Sequence, residues 1–320
     1  MGSAWDNDLP ERFGPMTVKE LRQNLRRGSF VYPFIGIQLL AVLAVVAEFQ
    51  MRRVGEYTEY IGMLNLGMLF TSGPFWIVVA VICMVIMPLG GLILMGQELE
   101  EGNHELLLLT QLNRWKVVLG KFYTIWGLCA LTFVSLLPYV VVRYLLGSIE
   151  WWRESCCSLS VLGGSAIIAA GAIGASSFKG LAARIGIMTL FLFSCVGACG
   201  VPLASSANMG TVKGCGVWYH LNAISSVFCY TLLGLALARS RLRLVVHAYE
   251  VKPSWMIVGL LVFTPFVVWM TTLFTGGYAG LVGLVGMAFV SIYSDVTPKA
   301  PKWMAAPPPN VPPPPPMPTA

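Results

Sequence analysis

The chain has 320 residues and a formal net charge of +6, yet only 11% of its residues are charged and 56% are hydrophobic. Its mean hydropathy of +0.72 is typical of a polytopic membrane protein and excludes an ordinary water-soluble domain. We therefore expect an all-α integral membrane bundle that is surrounded by membrane lipids and has no nucleic-acid partner.

The first 30 residues predict a cytosolic arm followed by an amphipathic helix. The polar stretch 1–15 has no apolar signal-peptide core, so the first span is expected to be an uncleaved anchor. After it come a capping-box pair and then leucines at helical spacing between basic residues. Such a helix suits an interface with anionic headgroups, although an ordinary basic flank of the first span is the alternative. The residues that define it are Thr17, Glu20, Leu21, Arg22 and Leu25.

Seven apolar runs are long enough to cross a membrane, since about 20 helical residues span the hydrocarbon layer, and an eighth run is shorter. They are Val31–Phe49, Phe75–Met95, Phe122–Val142, Leu159–Ser176, Ile185–Ala204, Val217–Ala238, Trp255–Phe274 and Tyr278–Tyr293. The last two are separated only by Thr275, Gly276 and Gly277, which predicts a tight helical hairpin. The short apolar run 61–71 predicts an interfacial or re-entrant piece.

Small residues recur in the fourth span and in the final hairpin. They permit close helix contact, and we expect that contact to be packing within the chain, with a dimer interface as the alternative.

The distribution of basic residues predicts the orientation. If eight spans start from a cytosolic N-terminus, 16 of the 21 Lys and Arg residues lie on the cytosolic side, as the positive-inside rule requires. We therefore expect both termini in the cytosol, which also places the segment 98–121 there.

The segment 98–121 is too polar to lie in lipid, and its pattern predicts a short helix at the membrane surface. Gly102 interrupts the chain, Asn103 is a good N-cap residue, and Glu105 falls in the first turn, where the helix dipole favours a carboxylate. A run of leucines from Leu106 to Leu109 gives this helix an apolar face. The segment has the character of a docking element.

The same segment resembles the loop between the second and third spans of type-2 ABC exporter permeases. The matching residues are Glu101, Gly102, Glu105, Leu106, Leu107, Leu108, Thr110, Leu112, Arg114, Gly120 and Lys121. Asn103 and Gln111 depart from the family pattern, in which Thr and Pro are usual. The sequence VKELRQNLRR near the N-terminus similarly resembles the elbow helix of that family.

The resemblance implies a coupling helix that docks on a separate cytosolic ATPase subunit, with Glu101, Gly102, Asn103, Glu105, Leu106, Leu109 and Arg114 as the coupling residues. It also implies a homodimer, or a heterodimer with a paralogous permease, and ATP and Mg²⁺ bound in the partner. The domains would be the arm and elbow at 1–30, a six-span permease core at 31–238, a cytosolic loop and additional hairpin at 239–293, and a tail at 294–320.

The chain itself has no motif for nucleotide chemistry or catalysis. Its only Gly-Lys pair, Gly120-Lys121, lacks the flanking residues of a phosphate-binding loop. The three histidines have no metal-ligand spacing, and there is no Cys-x-x-Cys pair. We therefore expect a non-enzymatic chain that binds no cofactor or metal of its own.

Three cysteines fall on the predicted outer side. In an oxidising exterior, Cys215 could pair with Cys156 or Cys157, which we state as a hypothesis. The other five lie in predicted spans, where small apolar packing is expected.

Polar side chains at membrane depth are candidates for a substrate path. They are Gln38, His220 and Asn222, with Glu48 and Arg143 nearer the interface. Each could equally make an interhelical hydrogen bond or a headgroup contact instead. For Glu48 and Arg143, such a structural contact is favoured over a role in a substrate path.

The prediction from sequence is thus a permease subunit of an ABC exporter in the plasma (inner) membrane of a prokaryote. Two alternatives stay open. One is a membrane scaffold that recruits partners through the proline-rich tail at 294–320, which is expected to be extended and disordered. The other is an ion-coupled carrier, which would need intramembrane acids that the sequence scarcely has.

Overall fold

The computed structural model describes residues 28–51, 69, 72–92, 114–147, 151–208, 217–241 and 255–293. Within these ranges the regular structure is entirely helical. The helices are α1 (Gly28–Met51), α2 (Pro74–Leu89), α3 (Arg114–Gly147), α4 (Trp151–Ser176), α5 (Leu181–Asn208), α6 (Val217–Arg241), α7 (Met256–Phe274) and α8 (Gly280–Tyr293). Each corresponds to one of the eight predicted apolar runs.

Five of these helices, α3 to α7, are long and apolar enough to cross a membrane, and α1, α2 and α8 hold shorter apolar stretches. Large apolar side chains such as Leu43, Phe193 and Phe228 are exposed on the outside of the bundle. Such a surface would be unstable in water but is suited to lipid, where helices satisfy their own backbone groups. The protein is a polytopic membrane helical bundle, as predicted.

Helices α4 and α6 form the centre of the bundle and approach each other backbone to backbone. A Cβ atom on Gly234 would lie 2.7 Å from the carbonyl carbon of Ala170, and one on Gly174 would lie 2.8 Å from the carbonyl oxygen of Gly234. Glycine at these positions lets the two helices pack more closely than side chains would allow. The predicted packing role of the small residues in this span is confirmed.

The α7–α8 hairpin is part of the same bundle, packed against α5 and α6. Its turn contains Gly276 and Gly277 with φ angles of 61° and 94°, which residues with a side chain rarely adopt. Trp269 Nε1 donates to the Gly197 carbonyl of α5 at 2.7 Å, and a Cβ on Gly280 would meet Pro202 at 2.5 Å. The predicted tight hairpin is confirmed.

The middle of α2 is a π-helical segment, Val81–Ile86, where the Met87 amide donates to the Ile82 carbonyl five residues back. Pro88 follows directly, and a proline has no N–H to donate and crowds the carbonyl four residues before it. That carbonyl belongs to Met84, inside the π segment. We attribute the local widening of the helix to Pro88.

Two helices begin eight residues earlier than the apolar runs that predicted them. The third run began at Phe122 but α3 begins at Arg114, and the fourth began at Leu159 but α4 begins at Trp151. Hydropathy marks only the hydrocarbon-embedded part of a helix, whereas the helical ladder continues into the polar interface. Residues 114–121 of the predicted surface loop are therefore the first turns of α3.

Candidate functional site

The two ends of the bundle differ in charge. Aromatic and basic side chains from α3, α6, the α4–α5 turn and the start of α7 meet at one end. There the Arg239 guanidinium lies 4.8 Å from the Trp115 ring centre, and that of Arg241 lies 4.2 Å from Phe178 and 4.4 Å from Trp255. We call this the basic end; its described cations are Arg114, Lys116, Lys121, Lys179, Arg184, Arg239 and Arg241.

The opposite end holds both glutamates of the described residues, Glu48 and Glu154, together with Arg143 and Arg153. These four side chains come from the last turns of α1 and α3 and the first turn of α4. Tyr144 and Trp151 form an edge-to-face pair beside them, with ring centres 5.9 Å apart, and both rings are exposed. Exposed aromatic side chains of this kind are typical of the membrane–water interface, and we therefore expect the charged residues to lie near that depth.

Arg143 is the centre of this charged group, although only 1% of its surface is exposed. Its Nε and Nη2 atoms donate to the two carboxylate oxygens of Glu48 at 2.8 and 2.7 Å. Its Nη1 atom donates to both oxygens of Glu154, at 2.9 and 2.7 Å. A bidentate arginine–carboxylate pair is among the strongest hydrogen-bonded contacts in proteins.

The fifth hydrogen bond of Arg143 goes to the backbone, from Nη2 to the Ser72 carbonyl oxygen at 2.9 Å. A guanidinium has five N–H donors, so every donor of Arg143 has an acceptor. Arg143 also lies 5.0 Å from the Phe75 ring centre and 5.9 Å from that of Trp76, in cation–π contact. The geometry leaves no hydrogen-bonding capacity on this buried cation.

Three further contacts tie α2 and α4 to the group. Trp76 Nε1 donates to Glu154 at 3.1 Å, Arg153 Nε donates to the Ser72 hydroxyl at 3.2 Å, and that hydroxyl lies 3.5 Å from the Cys157 sulfur. We call the set Glu48, Ser72, Trp76, Arg143, Arg153 and Glu154 the Arg143 cluster. Two cations and two carboxylates balance in charge, which lowers the cost of burying them.

Glu48 needs Gly73 to reach this position. Gly73 has a φ angle of 114°, and a Cβ atom on it would lie 2.9 Å from the carboxyl carbon of Glu48. The glycine therefore serves both the backbone turn before α2 and the close approach of the carboxylate.

The structure decides between the explanations offered for Glu48 and Arg143. They bind each other within the bundle rather than reaching for lipid headgroups. Glu154, Trp76 and Ser72 were missed. Ser72 lies 71 positions from Arg143 and Trp76 lies 78 positions from Glu154, while Glu154, only 11 positions from Arg143, lies on the next helix, and no sequence pattern related any of these residues to the others. One signal was present: Glu48, Arg143 and Glu154 lie near span ends that the predicted topology puts on the same side.

The remaining polar candidates are widely separated. Gln38 donates from Nε2 to the Ser135 hydroxyl at 2.7 Å, which joins α1 to α3. Asn222 is fully buried and accepts the Leu281 N–H at 3.0 Å through Oδ1, while its Nδ2 has no acceptor among the described residues. His220 is half-buried, with its ring against Tyr219. They do not form one continuous path in the described structure.

Most of the other predicted site residues lie outside the described ranges. Glu101, Gly102, Asn103, Glu105, Leu106 and Leu109 lie outside, as do Thr17, Glu20, Leu21, Arg22, Leu25 and Cys215. Arg114 is the half-buried first residue of α3. Cys156 and Cys157 are buried free thiols in α4, so the hypothesis of a bond to Cys215 stays a prediction.

The Arg143 cluster is suited to holding helices together rather than to catalysis. Both carboxylates are occupied by Arg143, and no group of three or more metal-ligating side chains occurs in the described parts of the chain. Comparisons of the chain with protein-family models, curated proteins and solved structures gave no match.

Proposed function

We propose that this chain is the transmembrane permease subunit of an ATP-driven ABC exporter. Two copies, or this chain and a paralogue, would sit on two cytosolic ATPase subunits that bind ATP and Mg²⁺. The observation that carries the proposal is the segment 98–121, which resembles the coupling loop of type-2 ABC permeases.

The charge distribution supports the orientation that this proposal needs. The connection between α2 and α3 leads into Arg114, at the basic end, so residues 93–113 join α3 there. By the positive-inside rule the basic end faces the cytosol. An ATPase docked on the α2–α3 connection would then meet it in the compartment that supplies ATP.

The pairing of the acids favours this proposal over an ion-coupled carrier. Such a carrier needs carboxylates that exchange protons or sodium ions during transport. Glu48 and Glu154 are each held by two hydrogen bonds from Arg143. An ATPase partner supplies the driving force without any titrating group in the bundle.

The finer architecture belongs to the same proposal: a six-span core at 31–238, the hairpin as an addition, an N-terminal elbow helix, and both termini in the cytosol of a prokaryote. The scaffold alternative differs in one measurable respect, since a scaffold acting through its proline-rich tail needs no ATPase.

The test is purification of the full chain in mild detergent from its native membrane. We expect an ATP-hydrolysing subunit to co-purify. Leu106→Ala, which shortens the proposed docking face, should weaken that association by about 1–2 kcal/mol, or roughly five- to thirtyfold.

The matched control is Leu242→Ala, the same truncation in the connection between α6 and α7 on the same predicted side. It should leave the amount of co-purified ATPase unchanged. If no ATPase accompanies the native chain, or if both leucine variants behave alike, the exporter proposal is wrong.

A further inference from the structure

The Arg143 cluster joins four separate parts of the chain at one end of the bundle. Glu48 is in the last turn of α1, Ser72 precedes α2, Arg143 is in the last two turns of α3, and Glu154 is in the first turn of α4. Arg143 donates to a group from each of the other three. Its five hydrogen bonds to these three elements make Arg143 a major polar tie at that end.

A network of this kind is an unusual way to close a membrane bundle if closure is its only purpose. Apolar side chains of similar volume give equal or better stability than a buried ion-pair network. What ion pairs add is geometric discrimination, because they are strong in one arrangement and costly in every misaligned one. Such a contact suits an end that must be either shut or open.

Helix α2 provides a mechanical route to the cluster. At its start, the Ser72 carbonyl accepts from Arg143 at 2.9 Å and Trp76 donates to Glu154 at 3.1 Å, while the Ser72 hydroxyl also accepts from Arg153 at 3.2 Å. At its other end Leu89 and Leu92 pack against a cluster that includes Ala175, next to the last residue of α4, and the chain continues into residues 93–113, which lead to Arg114 at the basic end. Any displacement of that connection along α2 therefore pulls directly on two contacts of Arg143 and Glu154.

The π segment of α2 lies between these two ends. Segments of this type often occur at functional sites, since they interrupt the regular helical ladder. Here the segment packs at a close crossing with α4, where Met84 covers Gly164 so tightly that a Cβ on the glycine would lie 2.1 Å from the methionine methyl carbon. This close packing would hold the middle of α2 against α4 if the start of α2 moved.

We propose that the Arg143 cluster is a releasable latch that closes the end of the bundle opposite the basic end, and that α2 releases it. Release separates Ser72 and Trp76 from Arg143 and Glu154 and exposes the α2–α4 contact. The identity of the trigger rests on the proposed function, because an ATPase would move the α2–α3 connection. The latch itself does not rest on it.

Cys157 is a natural reporter of this movement. It is fully buried and lies 3.5 Å from the Ser72 hydroxyl, so separation of α2 from α4 uncovers its thiol. Cys83, in the π segment, is equally buried but lies away from the cluster. Two versions of the full chain that retain only Cys157 or only Cys83, with the other cysteines replaced by alanine, distinguish local opening from unfolding.

The experiment measures labelling of these thiols by a membrane-impermeant maleimide in reconstituted vesicles. Glu48→Gln removes one charge of the latch and should speed Cys157 labelling by at least about tenfold, given the cost of an uncompensated buried charge, with Cys83 labelling unchanged. The matched control is Gln38→Leu, which removes the other polar tie between α1 and α3, to Ser135. It should leave Cys157 protected.

Each result decides the question. Unchanged Cys157 labelling in Glu48→Gln overturns the latch. Faster labelling of both Cys157 and Cys83 also overturns it, because the cluster would then hold the whole bundle together. Faster labelling of Cys157 alone supports it. In the native complex, ATP should also speed Cys157 labelling; if it does not while Glu48→Gln does, the latch stands and its ATP-driven trigger is wrong.

Discussion

Replacing Arg143 by methionine tests the energetic account of the cluster. The change removes five hydrogen bonds and the guanidinium that pairs with both buried carboxylates, whose side chains are 3% and 1% exposed. Breaking a buried ion pair from one side costs about 3–5 kcal/mol, mostly because the remaining charge stays unpaired. We expect Arg143→Met to lower the free energy of unfolding by about that amount.

The informative comparison is a triple variant, Glu48→Gln, Arg143→Met and Glu154→Gln, which removes the three fully buried charges and leaves only the half-buried Arg153. Replacement of a whole buried ion network is often neutral, so this variant should recover most of the lost stability. Unfolding of each purified protein would be followed by circular dichroism as sodium dodecyl sulfate is added to mixed micelles. The reasoning is refuted if the triple variant is as unstable as Arg143→Met, or if Arg143→Met unfolds like the wild type.

Two further substitutions test the packing. Gly234→Ala puts a methyl group 2.7 Å from the Ala170 backbone and should lower the free energy of unfolding by about 1–3 kcal/mol. The control is Gly200→Ala, where nothing lies within 4 Å; it should leave the free energy of unfolding unchanged or raise it by up to about 1 kcal/mol. Equal unfolding curves for the two variants would contradict the close α4–α6 contact. Asn222→Ala removes the acceptor of the Leu281 N–H, at a cost of about 0.5–2 kcal/mol by analogy with helix caps. Hydrogen exchange at Leu281 should then speed up, while Ser225→Ala, which loses only a bond to its own helix, should leave it unchanged.

The sequence was sufficient to predict the helices and the hairpin because each depends on local information. About 20 apolar residues in a row select a helix in lipid, and a Gly276-Gly277 pair allows a turn that other residues resist. The starts of α3 and α4 were missed by eight residues each, since hydropathy falls at the interface while the helix continues.

The Arg143 cluster could not be predicted in the same way. Its central bonds join residues 95, 71 and 11 positions apart, and their meeting depends on how α1, α2, α3 and α4 pack. Composition does not give that arrangement. Sequence reasoning placed Arg143 and Glu48 near the interface, and because it identified no partner for either side chain, it left an interhelical hydrogen bond and a headgroup contact as equal explanations.

The two ends of the bundle handle arginine in different ways, and the difference bears on mechanism. At the basic end the contacts are spread over several arginines: the Arg239 and Arg241 guanidiniums lie over aromatic rings, and Arg184 donates to the Phe178 carbonyl at 2.9 Å. At the other end Arg143 is held by five directional hydrogen bonds, which are lost together when one helix moves by a few ångströms. Because the bonds at the Arg143 cluster meet on one guanidinium, the displacement of α2 that we propose would release them as a set rather than one by one.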